Sequence, residues 1–434
     1  MKYNPKSLMA LFKNKETSSE EERFKRNQTI NVSQGILSIM AINLVNPFLS
    51  IFAIRSGATD YQVALLSSAP ALVSVLAMIP GARYIDKQKS KHRVTTLFIF
   101  LHRIFYLILA AIPFLSQNIR ASVLVATIAL MNLPGSIANV AWQSFISVII
   151  PQEHRARSIA TRNRLQNLIG TVITLIAGRF LDIATFPIGY QIAFFTSFLL
   201  AMVEVWVFSR MDEPLGPEVA NETEEIEESV ENNKPFLSGI KDIFKEKKFL
   251  RFVSASIVFH FAWQIPWSLF SLYQVRILGA NNTWVSILSL INTGGSLVGY
   301  GYWIKYSQRH GNLQTLFASG IWIFIVPLAY AFSKSLYFVA LINLVTGMVF
   351  SGVNLSLFNA TLDSTPEKNK TSFLAYHQTA ISITAIFAPV IGVGLKDLWG
   401  FQIAFLICAS LRLIGALCFK LINILEQRDN VEAA

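Results

Sequence analysis

Polar side chains recur at helical spacing inside four otherwise hydrophobic stretches of the sequence. The four sets are Asn43 and Asn46; Asn132, Ser136, Asn139 and Gln143; Ser256, His260, Trp263, Gln264 and Trp267; and Asn343, Gly347, Ser351 and Asn354. Steps of three and four residues put each set on one helical face. Amides and hydroxyls bond hydroxylated ligands, and indoles stack on flat or apolar ones. The sets hold no carboxylate and no Arg, which favours a neutral or amphipathic ligand. The alternative is that these groups only join neighbouring helices.

Charged side chains also occur deep in hydrophobic stretches. Arg103 and Glu204 lie at depths that differ by roughly 6 Å, at about 1.5 Å of helix rise per residue. We interpret them as a structural ion pair; the alternatives are independent snorkelling and proton coupling through Glu204. Arg412 lies halfway along its stretch without an obvious partner, and snorkelling or a lipid headgroup would account for it.

Histidine is the side chain whose charge changes most readily near neutral pH. His260, on a polar face in mid-stretch, is therefore the first candidate for proton coupling, followed by His377 and Glu204. The alternative for both histidines is a neutral hydrogen-bonding role.

The composition indicates the environment of these residues. The 434 residues are 53% hydrophobic and 15% charged, whereas soluble domains are about 25% charged. A span needs roughly 20 mostly apolar residues. Twelve runs qualify and are numbered here as spans 1 to 12: 30–54, 61–82, 94–115, 121–149, 165–186, 189–209, 250–274, 284–304, 314–333, 336–360, 372–394 and 399–420. Backbone at membrane depth is helical, so we expect an all-α polytopic membrane protein.

The distribution of basic residues predicts the orientation. With the N-terminus in the cytoplasm, 29 of the 37 Lys and Arg residues fall on the cytoplasmic side, as the positive-inside rule requires. This asymmetry explains the net charge of +11 without a nucleic-acid partner. We expect a multi-pass protein of the cell membrane with both termini in the cytoplasm.

A short stretch occurs twice. "GATDYQVALLSS" begins at Gly57 and "GANNTWVSILSL" at Gly279, an offset of 222 that also matches Ser74 with Ser296. A second pair, Pro151 and Asn139 against Pro366 and Asn354, has an offset of 215. Turn and capping chemistry could explain one match, but two similar offsets favour a duplicated six-helix unit.

The segment between the two halves has a different composition. Nine acidic residues lie between 212 and 231, which is typical of a solvated linker. After it, 236–244 has the pattern of a short helix on the membrane face. The predicted divisions are a cytoplasmic segment 1–29, a six-helix bundle 30–209, a linker 210–249, a second bundle 250–420 and a tail 421–434.

Twelve spans in two halves, with a long cytoplasmic link, resemble the major facilitator superfamily. The family's marker between spans 2 and 3 is Gly-x-x-x-Asp-Arg/Lys-x-Gly-Arg-Arg/Lys, and this loop reads "ARYIDKQKSK". Asp86, Lys87 and Lys91 match, whereas Ala82 and Lys89 replace the glycines. The resemblance implies two pseudo-symmetric six-helix bundles.

The resemblance also implies roles for residues. Spans 1, 4, 7 and 10 line a central cavity in that fold, and they carry the four polar faces described above. The predicted substrate contacts are Asn43, Asn46, Asn132, Asn139, Gln143, His260, Trp263, Gln264, Trp267, Asn343, Ser351 and Asn354. In the family, the acid of the marker latches the cytoplasmic side shut. Here this implies a gate of Asp86 and Lys87 with Arg155, Arg157 and Arg162 nearby in sequence.

These patterns together predict secondary transport. The sequence has no G-x-x-x-x-G-K-[ST] loop, no catalytic motif and no Cys/His cluster with metal spacing, so we expect no enzyme, cofactor or metal. We expect a monomer that moves a small neutral or amphipathic solute, with protons as a candidate coupling ion and export slightly favoured. The alternatives are a sugar or nutrient permease, and a membrane receptor or scaffold without transport.

Overall fold

The computed structural model describes residues 20–86, 88, 90–150, 152–213, 246–366 and 370–433, and this part of the chain is almost entirely helical. The α-helices of the first half are α1 (Glu20–Asn43), α2 (Leu49–Arg55), α3 (Asp60–Asp86), α4 (Lys91–Ala111), α5 (Gln117–Ile149), α6 (Gln152–Ile183) and α7 (Ile188–Phe208). Those of the second half are α8 (Lys247–Gln264), α9 (Trp267–Leu272), α10 (Asn282–His310), α11 (Asn312–Gly320), α12 (Ile325–Phe332), α13 (Leu336–Ser364) and α14 (Lys370–Ala433). Gly400, at φ 77°, separates two helices within α14.

Helices cover all twelve predicted spans. Among the described residues, eight segments are long and apolar enough to cross a membrane by length and composition, and one of them, 373–425, has 53 residues. The all-α membrane architecture is therefore confirmed, whereas the count of twelve spans stays a prediction. The predicted membrane-face helix at 236–244 and most of the predicted linker lie outside the described residues.

Three of the predicted spans are interrupted helices rather than uniform ones. In span 1, α1 ends at Asn43 and a 3-10 turn, Asn46–Phe48, precedes α2. Span 7 is divided between α8 and α9 at Pro266, and span 9 passes through a 3-10 turn shortly before Pro327. Proline supplies no N–H to the helix and clashes with the preceding turn. The expectation that Asn43 and Asn46 share one continuous helical face was therefore wrong.

The chain forms two units. Of the described residues, those within 20–52 and 73–213 form the first unit, and those within 53–72 and 246–433 form the second. In the first unit α1 packs on α6 and α7, and α4 packs on α5 and α7; in the second, α10 packs on α13 and α8 on α14. The end of α2 and the first half of α3 thus group with the second unit, and the division at 210–249 stays a prediction.

Each unit has its own apolar core. Ile99, Phe145 and Phe208 are buried together in the first unit. Phe259 and Phe419 belong to the corresponding cluster of the second. These cores fix the rotation of each helix and hence the direction of its polar face.

The duplicated stretch forms the same local structure twice. Gly57 and Gly279 both have positive φ, 88° and 69°, which glycine adopts without strain. Each turn leads to a capped helix, through reciprocal bonds of Thr59 and Gln62 in one copy and of Asn281 with the Trp284 N–H in the other.

The matched serines behave alike as well. Ser74 accepts a hydrogen bond from Ser136 of α5 at 2.8 Å, and Ser296 donates to the Gly347 carbonyl of α13 at 3.1 Å. Each thereby joins the second predicted span of its half to the fourth. Turn chemistry alone would not produce this second correspondence.

Candidate functional site

Arg103 and Glu204 meet in the interior of the first unit. The Arg103 Nε lies 2.8 Å from Glu204 Oε2, and its Nη2 donates to Oε1 at 3.0 Å. The guanidinium also donates to Ser38 and Tyr106, at 2.7 and 3.0 Å. The structure therefore brings together the two residues that depth alone suggested, and it adds two hydroxyl partners. Both charged side chains are almost fully buried.

A second guanidinium extends this cluster. Gln34 of α1 donates to Glu204 at 2.7 Å and accepts from Arg162 at 3.0 Å. Arg162 also stacks on the Trp142 ring, 4.4 Å from its centroid. A Cβ on Gly35 would come within 2.5 Å of the Arg162 Nε, so a larger residue there would require the Arg162 side chain to shift. Glu204 is thus bonded directly by one guanidinium group and is joined to a second one through Gln34.

The predicted gate is only partly visible. Arg162 bonds α1, including the Asn31 carbonyl at 3.3 Å. The side chains of Asp86, Arg155 and Arg157, and the whole of Lys87, lie outside the described part of the structure. Arg162 is among the gate residues predicted from the sequence, whereas Gln34 and Asn31 are not. Their only sequence signal is the helical spacing of polar residues along α1.

The polar side chains of α5 differ in how exposed they are. Asn139 and Gln143 are exposed within a helix that is apolar enough to span a membrane. Asn132 instead donates to the Ile128 carbonyl of its own helix at 2.8 Å. Exposed amides at membrane depth are costly in lipid. Asn139 and Gln143 are therefore the accessible members of this set.

The helix break of span 7 separates the residues predicted there. His260 and Gln264 are buried in α8; His260 Nδ1 lies 2.8 Å from the Ser256 carbonyl, and Gln264 accepts from Thr384 at 2.7 Å. Trp263 is half-buried, and Trp267, beyond the break, is exposed. Gln264 thus bonds α14. This agrees with the alternative that the polar side chains join neighbouring helices.

Two buried histidines face each other in the second unit. The ring centroids of His260 and His377 are 6.4 Å apart, and the Phe252 ring lies 5.5 Å from that of His377. Within the described part of the chain, the Nε2 of His377 is buried without a hydrogen-bond partner. The sequence named both residues as proton-coupling candidates, but it gave no signal that they are neighbours.

The polar side chains of span 10 also differ in how exposed they are. Asn354 of α13 is exposed, whereas Ser351 is buried and donates to the Met348 carbonyl at 2.7 Å. Asn343 is half-buried and donates to the Val339 carbonyl at 2.9 Å. In span 1, Asn46 is exposed and the half-buried Asn43 packs against Gly170. The exposed members of the four sets are therefore Asn46, Asn139, Gln143, Trp267 and Asn354.

The buried Arg412 has backbone partners. It donates to the Trp263 carbonyl at 2.8 Å and to the Ile323 carbonyl at 3.2 Å, and its guanidinium lies over the Phe270 ring. The i−4 partner of Pro327 is Ile323, so proline leaves this carbonyl without its helical donor. Arg412 therefore supports two interrupted helices. The expected snorkelling or lipid contact was wrong, because the side chain is 1% exposed.

Long apolar helices with a few exposed amides define a polytopic membrane protein with polar surfaces at membrane depth. The family model of the Major Facilitator Superfamily matches residues 33–300 and 252–432, and the chain belongs to this family. Its members are transporters, and the described helices agree with a multi-pass membrane protein that carries a small molecule.

Solved structures of transporters share the fold. A mutant of the nucleoside transporter NupG is 14% identical, with a TM-score of 0.66 over 91% of this chain and 99% of that one. The peptide transporter POT in complex with sulfate is 13% identical, with a TM-score of 0.64 over 94% and 98%. A bacterial homolog of the human lysosomal transporter Spinster, inward-facing and unoccupied, is 12% identical, with a TM-score of 0.62 over 97% of each chain. No curated protein sequence is similar enough to count as a relative.

Proposed function

We propose that this protein is a secondary active transporter of the cell membrane that moves a small neutral or amphipathic solute by alternating access. The observation that carries the proposal is the exposure of the uncharged side chains Asn139 and Gln143 on α5, Trp267 on α9 and Asn354 on α13. They belong to spans 4, 7 and 10, which the family uses for its solute path. Amides orient hydroxyl or amide groups of a solute, and the indole takes up its apolar part.

Buried charged groups in the two units already have partners, which supports an uncharged solute. Glu204 is bonded by Arg103 and Gln34, and Arg412 is bonded by two carbonyls. These ionic groups satisfy one another or the backbone, so they are not free to bind a charged solute. Export of amphipathic compounds is slightly favoured, and uptake of a sugar or another nutrient is the alternative.

Coupling to protons is part of the proposal. His260 and His377 are buried neighbours, and a proton on either would repel one on the other. A proton would then be taken up once by the pair and released when a solute changes its surroundings. Glu204 is a weaker candidate, because its carboxylate already has a guanidinium partner.

A thermal-shift screen of the purified protein tests the proposal. The panel should include nucleosides, peptides, sugars, amino acids, hydrophobic drugs and inorganic phosphate. We expect a neutral or amphipathic compound to raise the unfolding temperature, and Asn139→Ala to weaken that effect. Stabilisation by phosphate alone would contradict the proposed solute class.

A further inference from the structure

The helix break of span 7 separates two tryptophans of the predicted solute path. Trp263 lies in the last turn of α8 and is half-buried, whereas Trp267 is the first residue of α9 and is 41% exposed. Their ring centroids are 6.4 Å apart, and the ring planes meet at 86°. Because Pro266 lies between them, the angle at the break decides which way the exposed indole faces relative to α8.

Residues of α14 contact both sides of this break. Thr384 donates to the Gln264 side chain at 2.7 Å, and Ser268 of α9 donates to the Pro389 carbonyl at 3.1 Å. A Cβ on Gly392 would lie 2.1 Å from a backbone carbonyl oxygen within the break, so a larger residue there would push the two helices apart. The first part of α14 therefore packs directly on the break and bonds the end of α8 and the start of α9 separately.

Arg412, in the second part of α14, also contacts both sides of the break. Its Nη2 donates to the Trp263 carbonyl at 2.8 Å, and the central carbon of its guanidinium lies 5.6 Å from the centroid of the Phe270 ring in α9. The last four carbonyls of a helix have no donor within that helix, and the Trp263 carbonyl accepts from Arg412 instead. The same cation thus bonds the end of α8 and covers a ring of α9.

The charge of Arg412 is more than packing alone requires. The residue is 1% exposed, and a charged side chain at membrane depth is costly and usually has a function. A methionine would fill a similar volume without that cost. The guanidinium instead donates to backbone carbonyls of two interrupted helices, at Trp263 and at Ile323. Its bonds to these helix breaks, rather than its volume, therefore distinguish Arg412 from an apolar residue at this position.

We propose that Arg412 is a positioning residue of the solute path that acts through Trp267. It fixes the angle between α8 and α9, and this angle sets the direction in which the exposed indole meets the apolar part of the solute. Substrate sites of secondary transporters typically lie at discontinuous helices, which agrees with a buried cation that holds such a break. The inference rests on the proposed function, because Trp267 is a solute contact only if the protein transports a solute.

Fluorine NMR of the purified protein can test the positioning without a known solute. The chain has eight tryptophans, and growth with 5-fluorotryptophan gives each of them a fluorine signal. The signals of Trp263 and Trp267 are assigned by their loss in Trp263→Phe and Trp267→Phe. We expect Arg412→Met to move or split the Trp267 signal by more than its linewidth, because α9 then adopts further angles relative to α8.

Two further variants separate the bond from the fold. Arg412→Lys keeps a cation that can donate to the Trp263 carbonyl, although without the planar fork, and its Trp267 signal should lie closer to the wild type than that of Arg412→Met. Thr384→Val loosens the same break from the first part of α14 and should also move the Trp267 signal. It is the deciding variant if Arg412→Met does not fold.

The matched control is Ser410→Ala on the same helix. Ser410 is exposed and donates to the Leu406 carbonyl of its own helix at 3.1 Å. Its removal should leave all the tryptophan signals where they are.

An unchanged Trp267 signal in Arg412→Met, together with a lower unfolding midpoint, would overturn the inference, because Arg412 would then only stabilise the fold. A lysine variant that resembles the methionine variant would overturn it too, since donation to the carbonyl would not matter.

The role in solute contact is measured by thermal shift with the nucleosides and hydrophobic drugs of the panel. Arg412→Met should reduce the stabilisation by these compounds as much as Trp267→Phe does, and the double variant should reduce it no further, because both changes remove one contact. Full stabilisation of Arg412→Met would overturn the inference. If none of these compounds stabilises the wild type, the proposed solute contact fails instead, and the fluorine signals still show whether Arg412 holds the break.

Discussion

Neutralising Glu204 perturbs the interior of the first unit most directly. Glu204→Gln keeps the shape of the side chain and one acceptor oxygen, but it removes the negative charge that pairs with the buried Arg103. Arg162, which Gln34 joins to Glu204, loses the same negative charge. The variant therefore creates an uncompensated buried charge without creating a cavity.

The expected cost follows from that geometry. Breaking a buried ion pair by removing one partner typically costs about 3–5 kcal/mol. For a unit of roughly 200 residues, this lowers the unfolding midpoint by on the order of 10 °C. Because Met replaces both charges with apolar groups, the double variant Arg103→Met with Glu204→Met should recover most of the loss. The unfolding midpoints of the wild type, of Glu204→Gln and of the double variant are measured in detergent by the fluorescence of a thiol-reactive dye.

A matched control separates this effect from general damage. Arg210 stacks on the exposed Trp206 ring at the end of α7, and Arg210→Met should lower the midpoint far less. A Glu204→Gln midpoint within about 2 °C of the wild type would refute the reasoning. The double variant also tests proton coupling through Glu204: the structural interpretation predicts that pH-driven accumulation survives, whereas its loss would reassign Glu204 as a proton carrier.

Three further predictions concern the solute path and the gate. Asn139→Ala should weaken solute binding roughly 5- to 150-fold in isothermal titration, since a solute group left buried without its partner costs about 1–3 kcal/mol. The control Asn132→Ala loses only a bond to its own helix and should bind the solute like the wild type. If Asn139→Ala binds as tightly as Asn132→Ala, Asn139 does not contact the solute. His260→Gln should abolish accumulation driven by a pH gradient and keep solute exchange, while His310→Gln, at an exposed position, should change neither; retained accumulation would remove His260 from coupling. Asp86→Asn should make cysteines on the cytoplasmic ends of spans 4 and 10 label faster, by about tenfold for a shift of 1.4 kcal/mol, and equal rates would leave Asp86 as a surface residue.

The sequence contains the signals for the helices and for one long-range pair. Hydropathy finds the helical segments because lipid forces the backbone to bond within each segment. The depths of Arg103 and Glu204 suffice to suggest their pairing, since helix rise converts residue numbers into distances. The repeated glycine turns are visible because a positive φ restricts the residue type at Gly57 and Gly279.

Other features depend on how helices rotate and where they break. The sequence shows the prolines of the interrupted helices, which are Pro47, Pro266 and Pro327. It does not show which neighbouring group bonds the carbonyl that each proline leaves without a donor. Arg412 therefore had no predictable partner until its helix was placed beside Trp263 and Ile323. For the same reason, the contact of Asp60 with Arg276 and Lys396 spans more than 200 residues of chain without a sequence signal of its own.

Counterflow in proteoliposomes tests the central claim of transport most directly. Vesicles with purified protein are loaded with the solute that stabilises it most, and the entry of a trace of labelled solute is followed without any imposed gradient. The account predicts transient accumulation of label in wild-type vesicles and a reduced rate with Asn139→Ala at subsaturating solute. Binding of the solute without any exchange across the membrane would contradict transport and identify the protein as a receptor or scaffold on a transporter fold.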